Sequence, residues 1–253
     1  MGIDIQGKLR KGAKSLLNRM GWKLTRFNVA TDYTLKRQRF MQDECINVVL
    51  DVGANIGQYG GELRRYHYIG AIYSFEPFDE AFQKLQRTIR SDTNWMAYQY
   101  AVGAVDGEAQ LNVTAFSPSN SLLQPNAEFI QRMPFASLQY VQEVKTVKLD
   151  TLRSQILTQP DLRIMLKVDT QGYELPVLHG AAELLSKIHL LELEVSFTPT
   201  YVGQALFDEV YALVRTYGFK IIAISPIFSD RVTGHVLQAD VIFLNQNLQA
   251  PLH

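Results

Sequence analysis

The chain has one cysteine, Cys45, among 253 residues, so it cannot form an internal disulfide bond. A lone thiol is compatible with a reducing compartment. The sequence also lacks an apolar run near the roughly 18 residues that a membrane-spanning helix needs, and its basic N-terminus lacks the apolar core of a secretory signal. These absences predict a cytoplasmic protein.

Net charge is absent as well, because 25 Lys and Arg residues balance 25 Asp and Glu residues. Binding to nucleic acid is therefore not expected. The charge is nevertheless uneven, since residues 1–40 hold ten Lys or Arg and only two acids. Within residues 1–21, apolar residues recur at helical spacing between basic ones. This segment has two interpretations: a helix on the inner face of an anionic membrane, or a helix docked on the protein body.

The best-known dinucleotide-binding fingerprint, with glycines at its first, third and sixth places, is missing too. Those places hold Gly53, Asn55 and Gln58. The apolar residues of segment 47–52 predict a buried parallel strand that turns sharply into a helix. Asp51 lies beside this turn, where its carboxylate can meet an ammonium group. The pattern favours an amino-acid-bearing nucleoside such as S-adenosylmethionine over a pyrophosphate cofactor.

A second apolar run, residues 71–75, follows after one helix-length and ends at Glu76 and Pro77. A carboxylate at the tip of the second strand can accept hydrogen bonds from both ribose hydroxyls. NAD-binding proteins use the same device. Glu76 therefore predicts a nucleoside site without identifying the cofactor.

Strands alternate with helices through most of the chain, which predicts an α/β fold with a mainly parallel sheet and helices on both faces. The organised domain is predicted to span 45–246, between a basic, partly helical extension over 1–44 and a tail over 247–253. Predicted strands cover 48–52, 71–75, 95–102, 164–169, 190–195, 219–224 and 239–244. Predicted helices cover 58–66, 78–90, 173–187 and 206–217.

The alternating rhythm changes in the middle of the chain. Residues 109–116 and 144–149 alternate apolar and polar positions, as half-exposed strands do. Between them, residues 117–143 follow no clear pattern. An irregular stretch of this length is typical of a lid or a binding loop.

Four motifs occur in a fixed order: Asp51-Val-Gly-Ala-Asn-Ile-Gly57, Ser74-Phe-Glu-Pro77, Lys167-Val-Asp-Thr-Gln-Gly-Tyr-Glu174 and Glu192-Leu-Glu194. In this order and spacing they resemble the FkbM family of S-adenosylmethionine-dependent methyltransferases, over roughly residues 45–246. The resemblance implies a Rossmann-like class I methyltransferase fold, with a seven-stranded sheet whose last strand runs antiparallel. It also implies O-methylation of a small-molecule acceptor: a saccharide, a glycolipid or a related natural product.

The resemblance assigns seven residues to the cofactor pocket. They are Asp51, Gly53, Asn55 and Gly57 at its methionine end, Glu76 and Phe78 at its ribose and adenine end, and Val102 beside the adenine.

Three residues are predicted to act on the acceptor. Asp169, at the end of the fourth parallel strand, is expected to take up the hydroxyl proton or to hold a metal. Glu194 is expected to be a metal ligand or to orient the acceptor, and Glu192 shares its face of the strand. His235, in the turn before the last strand, is expected to border the acceptor site. A divalent metal such as Mg²⁺ would be held by Asp169 and Glu194.

Several alternatives stay open at this point. Glu174 is either an active-site acid or an electrostatic cap of the helix that it begins. The chain could also be an NAD-dependent oxidoreductase, against which the broken fingerprint counts, or a binding module that keeps the cofactor fold without turnover. Metal dependence and homo-oligomer formation are not decided by the sequence.

Overall fold

The computed structural model describes residues 17, 19–21, 28–158, 161–230 and 232–248. The amphipathic segment predicted over 1–21 lies largely outside the described residues, as does most of the tail at 247–253. Among the helices of the described ranges, none has the length and apolar character that crossing a bilayer requires.

Ten strands and seven α-helices make up the described chain. The strands are β1 (Val48–Val52), β2 (Ala71–Phe75), β3 (Trp95–Tyr98), β4 (Ala101–Val102), β5 (Gly107–Thr114), β6 (Leu138–Val147), β7 (Ile164–Val168), β8 (Ile188–Ser196), β9 (Phe219–Ser229) and β10 (Val236–Asn245). The helices are α1 (Tyr33–Asp43), α2 (Gln58–Arg65), α3 (Asp79–Ile89), α4 (Ala127–Arg132), α5 (Leu149–Ile156), α6 (Glu174–His179) and α7 (Phe207–Thr216).

Seven strands form one sheet in the order β3-β2-β1-β7-β8-β10-β9. Strand β10 pairs antiparallel with both β8 and β9, while the pairs from β3 to β8 are parallel. This is the seven-stranded arrangement of class I methyltransferases, so the predicted fold class and the antiparallel last strand are confirmed. Strands β4, β5 and β6 form a separate three-stranded sheet.

The central strands are buried on both faces, as their near-continuous apolar sequences predict. Every residue of β1, β2 and β7 is buried. Leu50 and Leu166 belong to the apolar cluster on one face, and Val49 and Met165 belong to the cluster on the other. Because side chains alternate along a strand, Asp51 and Lys167 lie on the face of Val49 and Met165. Helices α1 and α2 cover that face through Met41 and Leu63.

Two predicted elements are divided in the structure. The predicted strand 95–102 is two strands, because Ala101 and Val102 leave the large sheet and pair with β6. The predicted helix 173–187 stops at Gly180, where a β-carbon would lie 1.9 Å from the carbonyl oxygen of Gly103. Only a glycine permits this close approach. The chain turns at this point, and a short 3-10 helix follows at Leu184–Lys187.

The irregular stretch predicted over 117–143 is more ordered than expected. It contains α4 between two 3-10 turns, and its last residues begin β6. Asn126 caps α4 by accepting a hydrogen bond from the backbone nitrogen of Phe129 at 2.7 Å. The Phe129 ring then packs on Tyr201, with 5.6 Å between ring centroids. These elements are too short to produce a periodic sequence pattern.

Strand β6 ends at Val147, whereas the predicted strand continued to Leu149. Leu149 is instead the buried first residue of α5.

Two adjacent glycines of α2, Gly60 and Gly61, provide a matched test of how closely α2 packs on Trp95. A β-carbon at Gly60 would lie 2.3 Å from the Trp95 ring, whose Nε1 is held by Ser74 Oγ at 2.9 Å, whereas one at Gly61 meets nothing within 4 Å. Both alanine variants gain helix propensity, about 1 kcal/mol each. Overpacking costs about 1–3 kcal/mol. The gain in propensity is the same for both variants, so we expect Gly60→Ala to be less stable than Gly61→Ala by about 1–3 kcal/mol in urea unfolding. Equal stabilities would show that the Trp95 ring moves aside without an energetic cost.

Candidate active site

A cavity of about 470 Å³ opens along the carboxyl ends of the parallel strands. Its walls come from the loop after β1, the residues that follow β2 and β7, the 3-10 turn at Ser117–Ser119, and helices α1 and α2. Gly53, Asn55, Glu76, Val102, Asp169 and Glu194 all line it. The structure thus brings six of the ten predicted site residues to one place.

The loop after β1 passes directly over the end of β7. Gly53 has a φ of +77°, and a β-carbon there would lie 1.8 Å from the carbonyl oxygen of Asp169. Glycine alone tolerates both the conformation and the contact. Asn55 also has a positive φ, 46°, and its backbone nitrogen donates to Glu76 Oε2 at 2.8 Å. The loop and the acid of the second strand are therefore joined.

Glu76 is held from both sides at the cavity wall. Its Oε1 accepts a hydrogen bond from the backbone nitrogen of Phe78 at 2.9 Å, and its Oε2 accepts the bond from Asn55. Burial raises the pKa of Glu76 to about 7, although these two backbone donors oppose the shift. Each carboxylate oxygen can accept about two hydrogen bonds, so one site on each oxygen remains for a ligand. This geometry suits two neighbouring ribose hydroxyls.

Asp51 does not reach the cavity, contrary to the prediction. Its side chain is 0% exposed, and the ammonium that it meets is the chain's own Lys167, whose Nζ lies 3.3 Å from Asp51 Oδ1. Ser74 Oγ donates to the other oxygen at 3.1 Å. The expectation failed because Asp51 lies within β1, two residues before Gly53, where the neighbouring strand β7 places Lys167 directly beside it.

Lys167 is a buried cation that contacts several parts of this site. Its Nζ donates to the carbonyl oxygen of Gly53 at 3.2 Å and lies 3.6 Å from Asp169 Oδ2. Burial acts to lower the pKa of Lys167, but the charges of Asp51 and Asp169 outweigh it and raise that pKa. The lysine is therefore charged, and it links the glycine loop, the floor of the sheet and the predicted base.

Gly57 and Phe78 support the pocket from behind and do not line it. Gly57, with a φ of +90°, begins α2 against Leu85 and Trp95. Phe78 is buried in an apolar cluster with Leu111 of the second sheet. The pocket lining does not include these two predicted residues, because a β-carbon at Gly57 and the ring of Phe78 would both face packed apolar side chains.

A second cation enters from a helix that the sequence did not connect with the site. Arg37 of α1 is 5% exposed; its Nη1 lies 3.3 Å from Glu192 Oε1, and its Nη2 pairs with Glu62. Tyr59 Oη donates to Glu192 Oε2 at 2.6 Å, and the Arg37 guanidinium lies 4.7 Å from the centre of the Tyr59 ring. Glu192 is thus neutralised locally. Nothing in the polar pattern of residues 22–44 indicated this role.

Asp169 and Glu194 meet through a shared amide. Gln171 Nε2 donates to Asp169 Oδ1 at 2.8 Å and to Glu194 Oε1 at 3.2 Å. Gln238 Nε2 adds a third bond, to Glu194 Oε1 at 2.9 Å. Burial, followed by the charges of neighbouring carboxylates, raises the pKa of Glu194 well above its ordinary value. The two acids predicted to act together therefore do lie together.

Asp240 is a member of this group that the sequence analysis missed. It lines the cavity and pairs with Glu194 across β8 and β10, so both side chains share one face. Burial, with the charges of Glu192 and Asp169, raises the pKa of Asp240 to about 7. The sequence does contain a signal for this residue, because Asp240 is the one acid in the otherwise apolar run 239–244.

Glu174 is buried and hydrogen-bonded to the turn that precedes α6. Its Oε1 accepts from the backbone nitrogens of Thr170 and Gly172 at 3.0 and 3.1 Å, and from Thr170 Oγ1 at 3.2 Å. The side chain is buried beneath the turn that carries Gln171, whose φ is +55°. Glu174 thereby holds the glutamine that joins the two active-site acids.

His235 is not brought to the site. It is exposed in the turn between β9 and β10, and it is not among the described residues that line the cavity. The hairpin extends past the last pairing of β10 with β8, Gln238 with Ser196, and so carries His235 beyond the cavity. The turn does lie at the predicted edge of the sheet.

The predicted metal ligands do not form a chelating set. Within the described residues, no group of three or more His, Cys, Asp and Glu side chains is arranged to hold a metal ion. Asp169 and Glu194 are instead occupied by the amide of Gln171.

The Methyltransferase FkbM domain family matches residues 51–221. A curated relative, "Methyltransferase 1" of Beauveria bassiana (strain ARSEF 2860), is 30% identical over 158 residues, which cover 54% of this chain and 63% of that protein. The chain thus spans less than two thirds of that relative's length.

Two solved structures have a similar fold at low identity. Magnesium protoporphyrin IX methyltransferase (ChlM) from Synechocystis PCC 6803 with bound SAM has a TM-score of 0.44 and 11% identity, with 97% of this chain and 86% of that chain covered. The METTL16 methyltransferase domain has a TM-score of 0.46 and 8% identity, with 96% and 82% covered.

The buried ion pair predicts an asymmetric response to mutation. Lys167→Met leaves the carboxylate of Asp51 buried without its cation, which costs about 3–5 kcal/mol of unfolding free energy. Adding Asp51→Asn removes the uncompensated charge, so the double variant should recover much of this loss. Urea unfolding of both variants measures the difference. A double variant no more stable than Lys167→Met would contradict the pairing.

Glu76 predicts a particular pH dependence of stability. Its folded-state pKa of about 7 lies above the ordinary 4.5, so stability is lost as pH rises from about 4.5 to about 7. The shift corresponds to about 3 kcal/mol. Glu76→Gln cannot titrate, so the change in unfolding free energy between pH 5 and pH 8 should shrink by that amount. Glu80→Gln, at an exposed position of α3, is the control; equal changes in both variants would refute the prediction.

Proposed function

Because the chain belongs to the FkbM methyltransferase family, we propose that it is an S-adenosylmethionine-dependent O-methyltransferase acting on a hydroxyl of a saccharide, glycolipid or related natural product. One observation carries the proposal: a single cavity joins Glu76 to the acidic group of Asp169, Glu194 and Asp240. The end of the cavity at Glu76 suits a nucleoside. The acidic group at the other end can receive the proton that a hydroxyl loses on methylation.

The sheet sets the distance between these two ends. Strands β2, β1, β7, β8 and β10 are consecutive neighbours, each about 4.8 Å from the next. The tip of β2 therefore lies about 10 Å from the tip of β7, and β10 lies about 10 Å further on. A nucleoside held at Glu76 would extend towards Asp169. The region over β8 and β10 is then left for the acceptor.

The charges around the cavity support a cationic cofactor. Six acidic side chains line it, those of Glu62, Glu76, Asp169, Glu192, Glu194 and Asp240, against three basic ones, those of Arg37, Arg65 and Lys167. Arg37 and Lys167 are the buried cations that face them. When bound, S-adenosylmethionine supplies a methyl group on a sulfonium centre, which an acceptor oxygen displaces in line. The surplus of carboxylate favours this positive centre.

We assign the role of general base to Asp169. Gln171 fixes its Oδ1, while Oδ2 faces Lys167 and the side chain remains 36% exposed towards the cavity. As the oxygen–carbon bond forms, the hydroxyl proton would pass to this carboxylate. The raised pKa of Glu194 favours its protonated form, which can donate a hydrogen bond and orient the acceptor oxygen. Correct alignment supplies much of the catalysis, because the methyl donor is already reactive.

Asp169→Asn tests the base directly. The amide cannot accept the proton, so methyl transfer should fall by about 10²–10⁴-fold. The cofactor Kd should change by less than about threefold, because Glu76 and the glycine loop are untouched. Transfer is measured with methyl-labelled S-adenosylmethionine and extracted glycans and lipids, and binding by calorimetry. Asp208→Asn, at an exposed position of α7, is the control.

Two results would overturn parts of this proposal. Calorimetry with S-adenosylmethionine and NAD side by side would refute the methyltransferase function if NAD alone bound. Undiminished transfer by Asp169→Asn would remove Asp169 from the mechanism but leave the cofactor assignment standing.

A further inference from the structure

Part of the acceptor end of the cavity is built by residues outside the segment that matches the family, 51–221. Helix α1 contributes Tyr33 and Arg37, and strand β10 contributes Asp240. Arg37 reaches Glu192 of β8, so α1 lies over the strands furthest from Glu76. The flanks of the chain therefore complete a wall whose other acids, Glu192 and Glu194, come from the matched segment.

Two hydrogen-bond donors at this wall are buried without a partner among the described residues. They are Tyr33 Oη and Arg37 Nε. Each terminal nitrogen of Arg37 is engaged, Nη1 by Glu192 and Nη2 by Glu62, so Nε is the nitrogen of this side chain that has no partner among the described residues. An unpaired buried donor costs about 1–3 kcal/mol. Both groups would therefore gain from a ligand with hydrogen-bond acceptors.

Asp240 supplies the complementary group. Its carboxylate lines the same cavity and shares a face of the sheet with Glu194. The wall thus offers two donors and one acceptor within a polar enclosure. A ring that carries neighbouring hydroxyls can satisfy all three, since each hydroxyl both donates and accepts. An acyl chain could satisfy none of them.

We propose that Tyr33, Arg37 and Asp240 form an acceptor subsite, which binds the hydroxyls next to the one that is methylated. The subsite rests on the proposed function, because it needs a hydroxylated acceptor at this cavity. It makes the flanks of the chain, helix α1 and strand β10, the determinants of acceptor choice. The matched family segment supplies the cofactor site.

Tyr33→Phe removes one donor and keeps the ring. Labelled S-adenosylmethionine is supplied with serial dilutions of extracted glycans and lipids, and the extract concentration at half-maximal transfer serves as an apparent KM. We expect this value to rise about tenfold, the equivalent of one hydrogen bond. The maximal rate should stay within about twofold, and the cofactor Kd should not change, because the lost bond contributes equally to ground and transition states.

Tyr140→Phe makes the same chemical change at an exposed position of β6 and should behave as wild type. Asp240→Asn is a second test, and its apparent KM should also rise. If Tyr33→Phe and Asp240→Asn both keep the wild-type apparent KM, or lose only maximal rate, the subsite is wrong while the methyltransferase function stands. If the wild type transfers no label although it binds the cofactor, the proposed function fails and the subsite fails with it.

Discussion

The ammonium group of Lys167 is the contact on which the site depends. It lies between the carboxylates of Asp51 and Asp169 and bonds to the backbone of Gly53. A buried carboxylate without such a partner would be strongly unfavourable. The lysine therefore permits an acid inside the sheet, places the glycine loop and orients the residue that follows β7. One side chain connects the fold to the chemistry.

From this contact, charges of alternating sign extend across one face of the sheet. Asp51 is followed by Lys167, then by Glu192 on β8, and then by Arg37 from α1. The Tyr59 ring lies near both cations, at 4.7 Å from the guanidinium and 5.4 Å from the ammonium. Deeper in the same face the residues are apolar, as in the cluster of Val49 and Met165. The boundary between the apolar and charged regions fixes the floor of the cavity.

Much of the fold could be predicted from the sequence because its central strands are continuous apolar runs, and the turn after β1 has a recognisable glycine pattern. Glu76 and Asp169 could be placed at strand ends for the same reason. The partner of Asp51 could not, since Lys167 lies 116 positions away and only strand pairing brings the two together. Arg37 was missed because a single arginine on a polar helix resembles any solvated residue. The division of residues 95–102 depends on pairing with β6, which no local pattern reveals.

The antiparallel direction of β10 has a practical consequence for handling this protein. Asp240 enters the site from the middle of that strand, and the residues after it run back towards the opposite edge of the sheet. A label or surface tether attached after residue 248 would therefore leave the molecule on the side away from the cavity. One attached just before α1 would instead stand beside the acceptor entrance. Immobilisation through the first position should leave substrates free access, whereas the second should obstruct large ones.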